Sequence, residues 1–255
     1  VADIVLGAGK IYFEIEDANG ALGTGERYLA ETPGFSLSVT PETLEDWSSD
    51  GKIAEKLLDI TTRVNRGGTL TIKDALIDNI ALFVAGGVST VNQSATPVVD
   101  EAVKGWKDKW TQLGASLSNP TGVRNVSSVV ITGSGGTPTY SASTDYELDA
   151  VMGRFRPLTA GTIADGASLL ADYTPAANSR SRIASDQLGP KVGALRFIAE
   201  NTSGPNKDLY IPKVQMAPDG ELAFKSRDTV MQMQFQLRIS TRSGYAQVYV
   251  DGRAV

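Results

Sequence analysis

Residues 231–239, MQMQFQLRI, alternate without a break: Met231, Met233, Phe235, Leu237 and Ile239 fall on one side, Gln232, Gln234, Gln236 and Arg238 on the other. Side chains of a strand point to opposite faces with period two, so this run reads as a β-strand with one core face and one polar face. The same pattern recurs in Phe35-Ser-Leu37-Ser-Val39-Thr (35–40). It appears again where Leu58, Ile60 and Val64 oppose Asp59, Thr61 and Arg63, and where Leu70 and Ile72 oppose Thr69, Thr71 and Lys73. Between the last two runs, NRGG (65–68) predicts a hairpin turn. ALRFIAE (194–200) and LYIPKVQM (209–216) are two further strands, with Pro212 expected at an edge or a bulge. The fold class is mainly β, in antiparallel sheets of the β-sandwich or barrel-forming kind.

A short flanking α-helix is expected after Asp74, which can cap it. Leu76, Ile77, Ile80, Ala81, Phe83 and Val84 form its apolar stripe, and Gly86–Gly87 ends it. A second helix is expected over Val99–Lys107. From GGVSTVNQSATP (86–97) the composition shifts. Residues 112–178 are rich in Gly, Ser and Thr, with strand candidates SSVVIT, DYELDAVMGRF and SLLADYT separated by the turns GSGGTP and ADG. This predicts a small all-β domain, residues 97–178, inserted into a discontinuous main domain of residues 1–96 and 179–255.

Composition narrows the chemistry. The 255 residues contain no cysteine and no histidine, so disulfides, thiolate ligands and the commonest general base are excluded. No apolar run reaches the length of a membrane span, and the first residues lack the pattern of a secretory signal. The formal charge is −5 but uneven: residues 1–50 hold ten acids and two bases, residues 179–255 seven acids and eleven bases. Between identical copies such asymmetry favours a heterologous contact, of the kind that builds rings or filaments. Net acidity disfavours binding through phosphate neutralisation.

No catalytic constellation emerges. GAGK (7–10) lacks the upstream glycine and the Ser or Thr of a phosphate loop, GSGG (133–136) lacks a following helix, and PDGE (218–221) is a turn with too few carboxylates for calcium. Asp145, Glu147 and Asp149 share one strand face, a spacing that suits glycoside hydrolysis and is also common on solvated strands. The expectation is a protein without enzymatic activity, cofactor or metal.

Two features remain to be explained. Residues 40–64, TPETLEDWSSDGKIAEKLLDITTRV, set Leu44 and Trp47 among Glu42, Glu45, Asp46 and Asp50 with no base before Lys52. Trp47 either folds back onto its own core or is kept exposed for a partner. The polar strand faces, Ser36, Ser38, Thr40, Thr61, Thr69, Thr71, Gln232, Gln234 and Gln236, carry small hydroxyls and amides. Such a face is the solvent side of an antiparallel sheet, or a channel wall with little to stack on bases or hold phosphates. Arg63, Lys73 and Arg238 would then need acids nearby.

Taken in order, the strand GFSLSVTP, the loop ETLEDWSSDGKIAEK, the hairpin LLDITTRVNRGGTLTIKDA and the helix LIDNIALFVAGG resemble the tail tube proteins of long-tailed bacteriophages. GALRFIAENTSGPNKDLYIPKVQMAPDGELAFKSRD followed by VMQMQFQLRIS is similar to the second half of that family. The likeness covers residues 8–90 and 180–240 and leaves the insertion outside it. It implies a virion protein, assembled in the host cytoplasm, whose six-membered rings stack into a tube for genome ejection. It implies as partners copies of the same chain, the tape-measure, tail-terminator and distal tail proteins, and duplex DNA in passage. It also implies that the long loop, with Glu42, Leu44, Glu45, Asp46, Trp47 and Asp50, reaches a neighbouring subunit, the acids facing bases of the positive C-terminal third. Ser36, Ser38, Thr61, Thr69, Thr71, Gln232, Gln234 and Gln236 would face the channel, and the insertion would lie on the tube exterior. An independent alternative is a β-rich fibre or surface-decoration module binding a receptor or glycan, with Tyr140 and Tyr146 as its aromatic contacts.

Overall fold

Residues 233–239 form a strand whose Met233, Phe235 and Leu237 are buried and whose Gln234, Gln236 and Arg238 are exposed. In the computed structural model, which describes residues 4–185 and 189–252, the chain order is β1 (Gly9–Ile15), β2 (Arg27–Tyr28), β3 (Gly34–Trp47), β4 (Lys56–Ile72), α1 (Ile77–Phe83), β5 (Gly87–Gln93), β6 (Val98–Gly105), β7 (Thr111–Gln112), β8 (Val126–Gly133), β9 (Thr139–Tyr140), β10 (Tyr146–Asp149), β11 (Arg154–Pro157), β12 (Ala167–Pro175), β13 (Asn178–Ala184), β14 (Lys191–Ala199), β15 (Lys207–Asp219), β16 (Met233–Ile239) and β17 (Tyr249–Gly252). The fold is mainly β, antiparallel throughout its named ladders, with one helix.

Two compact units share the chain: residues up to Ser89 with those from Ile183 onward, and Thr90–Arg182. The chain leaves the first along β5 and returns along β13, and these two strands pair. The sequence boundaries at 96/97 and 178/179 therefore lie within the second unit. The stretch read as a linker supplies β5, because Val88, Thr90 and Val91 are β-branched and suit a strand.

In the first unit eight strands form one sheet, ordered β2-β1-β14-β15-β16-β4-β3 with β17 beside β15. Ile11, Phe13, Leu70, Ile72, Leu195, Ile211, Met216, Met233, Phe235 and Leu237 fill its core with Leu82 of α1. Each such burial contributes about 1.5–3 kcal/mol. Phe35 of β3 meets Phe197 of β14 at 5.7 Å between ring centroids, so the sheet curls around that core. Phe83 of α1 meets Phe235 edge-on at 5.8 Å. Pro212 sits at a bulge in β15, where the β14 register shifts between Gly193 and Leu195.

Three sequence expectations are corrected. NRGG is no turn: β4 runs unbroken through it, and Gly67 and Gly68 are extended residues squeezed between β3 and β16. A Cβ on Gly68 would lie 2.0 Å from the Ser36 carbonyl oxygen, and one on Gly67 2.8 Å from that of Leu237. These glycines serve close approach, a role local pattern cannot separate from a turn. Val99–Lys107 is no helix, since Val98–Gly105 pairs with β12 as a strand. In α1 the buried residues are Asn79, Ala81 and Leu82, while Leu76 and Ile77 of the expected stripe are exposed. Asp74 accepts from the Leu76 N–H at 3.1 Å, before the first turn, and makes no side-chain cap at Leu76. Asn79 is satisfied by donating to the carbonyls of Leu29 and Asp74 and accepting from Arg27.

The second unit has its own core of Leu113, Val126, Ile131, Tyr146, Phe155, Ile163, Leu169 and Tyr173. SSVVIT and SLLADYT lie in β8 and β12, and DYELDAVMGRF contributes β10, a turn and the start of β11.

Candidate assembly surface

Cross-strand register gathers most of the proposed channel residues on one outward face. Ser36 stands opposite Thr69, and Thr69 opposite Gln236; Thr71 stands opposite Gln234; Ser38 stands opposite Gly67, and Gly67 opposite Arg238. Ser36 and Thr69 join hydroxyls at 2.8 Å. Gln232 precedes β16 and lies outside this ladder. Thr61 is on the other face. The β3–β4 register shifts between Glu42 and Thr43, which leaves Thr62 as the extra residue and pairs Thr61 with Thr43. One inserted residue moves every later side chain of that strand to the opposite face.

The same shift shapes residues 40–64. They form no open loop: Pro41–Trp47 pairs with Lys56–Val64, so β3 and β4 continue as a two-stranded arm closed by residues 48–55. A second shift, between Asp46 and Trp47, makes Leu57 the extra residue. The doubled positions Leu57–Leu58 and Thr61–Thr62 are the sequence signs of these bulges. Leu44, Trp47, Ile53, Leu57, Leu58 and Ile60 are all exposed, Ile53 to 84%. Trp47 is half exposed and belongs to neither core; the Lys56 ammonium lies 5.3 Å from its ring centroid.

Of the four acids expected to face bases on another subunit, Glu42 and Glu45 meet bases of the arm itself. Lys56 pairs with Glu45 at 2.8 Å and Asp59 at 2.7 Å, and Arg63 pairs with Glu42 at 2.9 Å. Arg63 thus has its offsetting acid. Among the described residues Arg238 meets the Gln236 amide oxygen, at 3.3 Å, and no acid. Asp46 accepts from the Trp47 N–H, and neither Asp46 nor Asp50 has an ion pair among the described residues. The end-to-end charge asymmetry is likewise partly settled within the chain: Arg196 pairs with Glu26 at 2.8 Å, and Arg242 pairs with Glu16. Adjacency of β1 and β14 brings the two chain ends together, which composition alone does not reveal.

Sequence reasoning missed a second outward face. Tyr28, Tyr12, Arg196, Tyr210 and Tyr249 stand opposite one another across five neighbouring strands. Tyr12 and Tyr28 lie 5.4 Å apart and the Arg196 guanidinium 4.5 Å from the Tyr210 centroid. The residues are far apart in sequence, so only pairing could show the row.

In the second unit the three spaced carboxylates hold structure. Asp145 accepts from Ser141 N at 2.8 Å and from Thr162 N and Oγ1 at 2.9 and 2.7 Å, bonds that hold its carboxyl below the usual range. Asp149 is lowered by the Met152 N–H and then by Arg154, and Glu147 pairs with Arg156. Tyr146 is buried and Tyr140 packs on the core, so neither is the exposed aromatic expected of a glycan contact. Trp106 and Trp110, 42% and 36% exposed, hold that position instead. Their loop is fixed by Lys107 N to Asp165 at 2.9 Å, Lys107 Nζ to the Thr159 carbonyl at 2.8 Å and Asp108 N to the Pro157 carbonyl at 2.9 Å.

Among the described residues no helix is long and apolar enough to cross a membrane. Over residues 4–243 the sequence matches the family model described as "Protein of unknown function UCP028589", and the chain belongs to that family. No curated protein matches it.

Proposed function

We propose that this family member is a structural virion protein that assembles with its own copies into stacked rings, forming a phage tail tube through which double-stranded DNA passes. The observation that carries the reading is the arm. Six apolar side chains are exposed along the two-stranded ribbon and its closing segment, and exposed apolar surface of this kind marks interaction sites. Among the described residues β3 pairs only with β4, so the outer edge of this 14-residue strand offers a row of unpaired backbone groups as a template for another chain. An arm meeting a different surface makes a heterologous contact, which closes as rings or continues as a filament.

The Ser, Thr and Gln side chains of this face suit a channel wall because neutral, non-aromatic groups neither stack on bases nor hold phosphates, and Arg238 adds a cation at its end. The tyrosine and arginine row has the composition of an interface. Six copies per ring, the tape-measure, tail-terminator and distal tail proteins, and an external insertion follow from the family resemblance. The second reading, a receptor- or glycan-binding decoration module, is favoured by the fixed, half-exposed Trp106 and Trp110.

Negative-stain electron microscopy of dilute and then concentrated protein tests the proposal. Rings or hollow tubes wide enough for duplex DNA are the expected result; compact monomers at every concentration, with glycan binding lost in Trp106→Ala, would favour the second reading. For the channel face, Gln234→Lys is expected to permit tubes and slow DNA ejection, because each copy adds a cation to the wall. Thr61→Lys, on the opposite ribbon face, is expected to leave ejection unchanged. Equal ejection rates in Gln234→Lys and wild type would remove that face from the channel.

A further inference from the structure

Beside α1 lies a pocket of about 380 Å³ with apolar walls of Phe13, Ile15, Leu82 and Val88. Its charged lining is Arg27, Lys191 and Asp78, an excess of one positive charge. Arg27 is peculiar. Its Nη1 donates to Asn79 at 2.8 Å, but its Nη2, shielded from solvent, has no acceptor among the described residues. No ion pair reaches Arg27 or Lys191 among the described residues. A buried guanidinium N–H left unmatched is costly, and the usual solution is a carboxylate, which accepts charge-assisted bonds.

An occupant with an apolar body and a carboxylate would therefore satisfy the site. The arm's closing turn presents both: Ile53 is its most exposed apolar residue, and Asp50, three positions earlier, has no cation among the described residues. The turn folds tightly there, a Cβ on Gly51 falling 3.3 Å from the Ile53 carbonyl oxygen. We propose that this pocket receives the arm tip of a second copy, Ile53 filling the apolar walls and the Asp50 carboxylate pairing with the Arg27 guanidinium and the Lys191 ammonium that give the lining its positive excess. The assignment rests on the self-assembly reading and adds the acceptor site to it. Each copy gives one arm and receives another, so the contact propagates.

The chain has no cysteine, so an introduced pair reports on this contact alone. Val88 is exposed on the pocket wall. Under mild oxidation, assembled Ile53→Cys/Val88→Cys protein is expected to give a disulfide ladder extending past the dimer. Each single variant, with one thiol per chain, stops at the dimer. Adding Arg27→Gln to the double variant is expected to slow ladder formation about tenfold, the cost of one charge-assisted bond. Rings or tubes without a ladder would overturn the pocket assignment and leave the self-assembly reading standing. Failure of the wild-type protein to assemble at high concentration would overturn both.

Discussion

Trp47→Ala is expected to abolish tube growth while the monomer's melting temperature stays within about 2 °C of wild type, as for an ordinary surface substitution. The side chain is half exposed, lies outside both cores, and has the Lys56 ammonium 5.3 Å from its ring centroid. Losing that contact costs the monomer little, since exposed cation–π pairs contribute about 0.5–1 kcal/mol. In an assembly the loss repeats at every contact. A buried tryptophan anchor commonly contributes about 2 kcal/mol or more, roughly thirtyfold in each association constant. Sedimentation velocity and thermal melting of the same sample separate the effects. A collapse in melting temperature would make Trp47 a structural residue of its own chain.

Gly68→Ala is expected to act in the opposite sense, unfolding the first unit before any question of assembly arises. Gly68 faces Leu37 on one side and Leu237 on the other, in the middle of the sheet. Its added methyl would meet the Ser36 carbonyl oxygen at 2.0 Å, a backbone atom that no rotamer change can move. Overpacking typically costs about 1–3 kcal/mol and occasionally more, and a backbone clash belongs at or above the top of that range. Gly67→Ala, with its nearest contact at 2.8 Å, should be milder. Calorimetry should show the transition of the first unit shifted downward, with that of the second, which has a separate core, in place. Unchanged melting of both would mean that β3 and β4 are not held at the separation described.

How far the sequence could be read depended on whether a signal was local. MQMQFQLRI carries its own periodicity, and β16 has the expected buried and exposed faces. Phe35 to Thr40 was legible as a strand for the same reason, although Leu37 and Val39 of its expected core face are exposed. NRGG was not, because glycine for a turn and glycine for close approach look alike until the neighbouring strands are known. Val99–Lys107 resembled a helix because its apolar residues do not alternate cleanly, and positive φ at Asp100 marks the irregularity. Thr61 had the right chemistry and the wrong face, through a bulge one residue away. Of the candidate site, the arm's apolar residues could be named but their acids' partners could not, since Lys56 and Arg63 reach them across the ribbon. Arg27's unmatched N–H and the tyrosine row depend on residues distant in the chain.

β3 and β4 each run from the core to the arm tip as one strand, bulged at Thr62 and Leu57. A pull on the tip is delivered along the strand axis to the ladder between β4 and β16, from Ile72–Met233 to Gly67–Arg238. Hydrogen bonds loaded in that direction share the force and must yield together, whereas a perpendicular pull would open them one at a time. An arm held at its tip would therefore be a tether suited to tension, with its mechanical strength set by the sheet that anchors it.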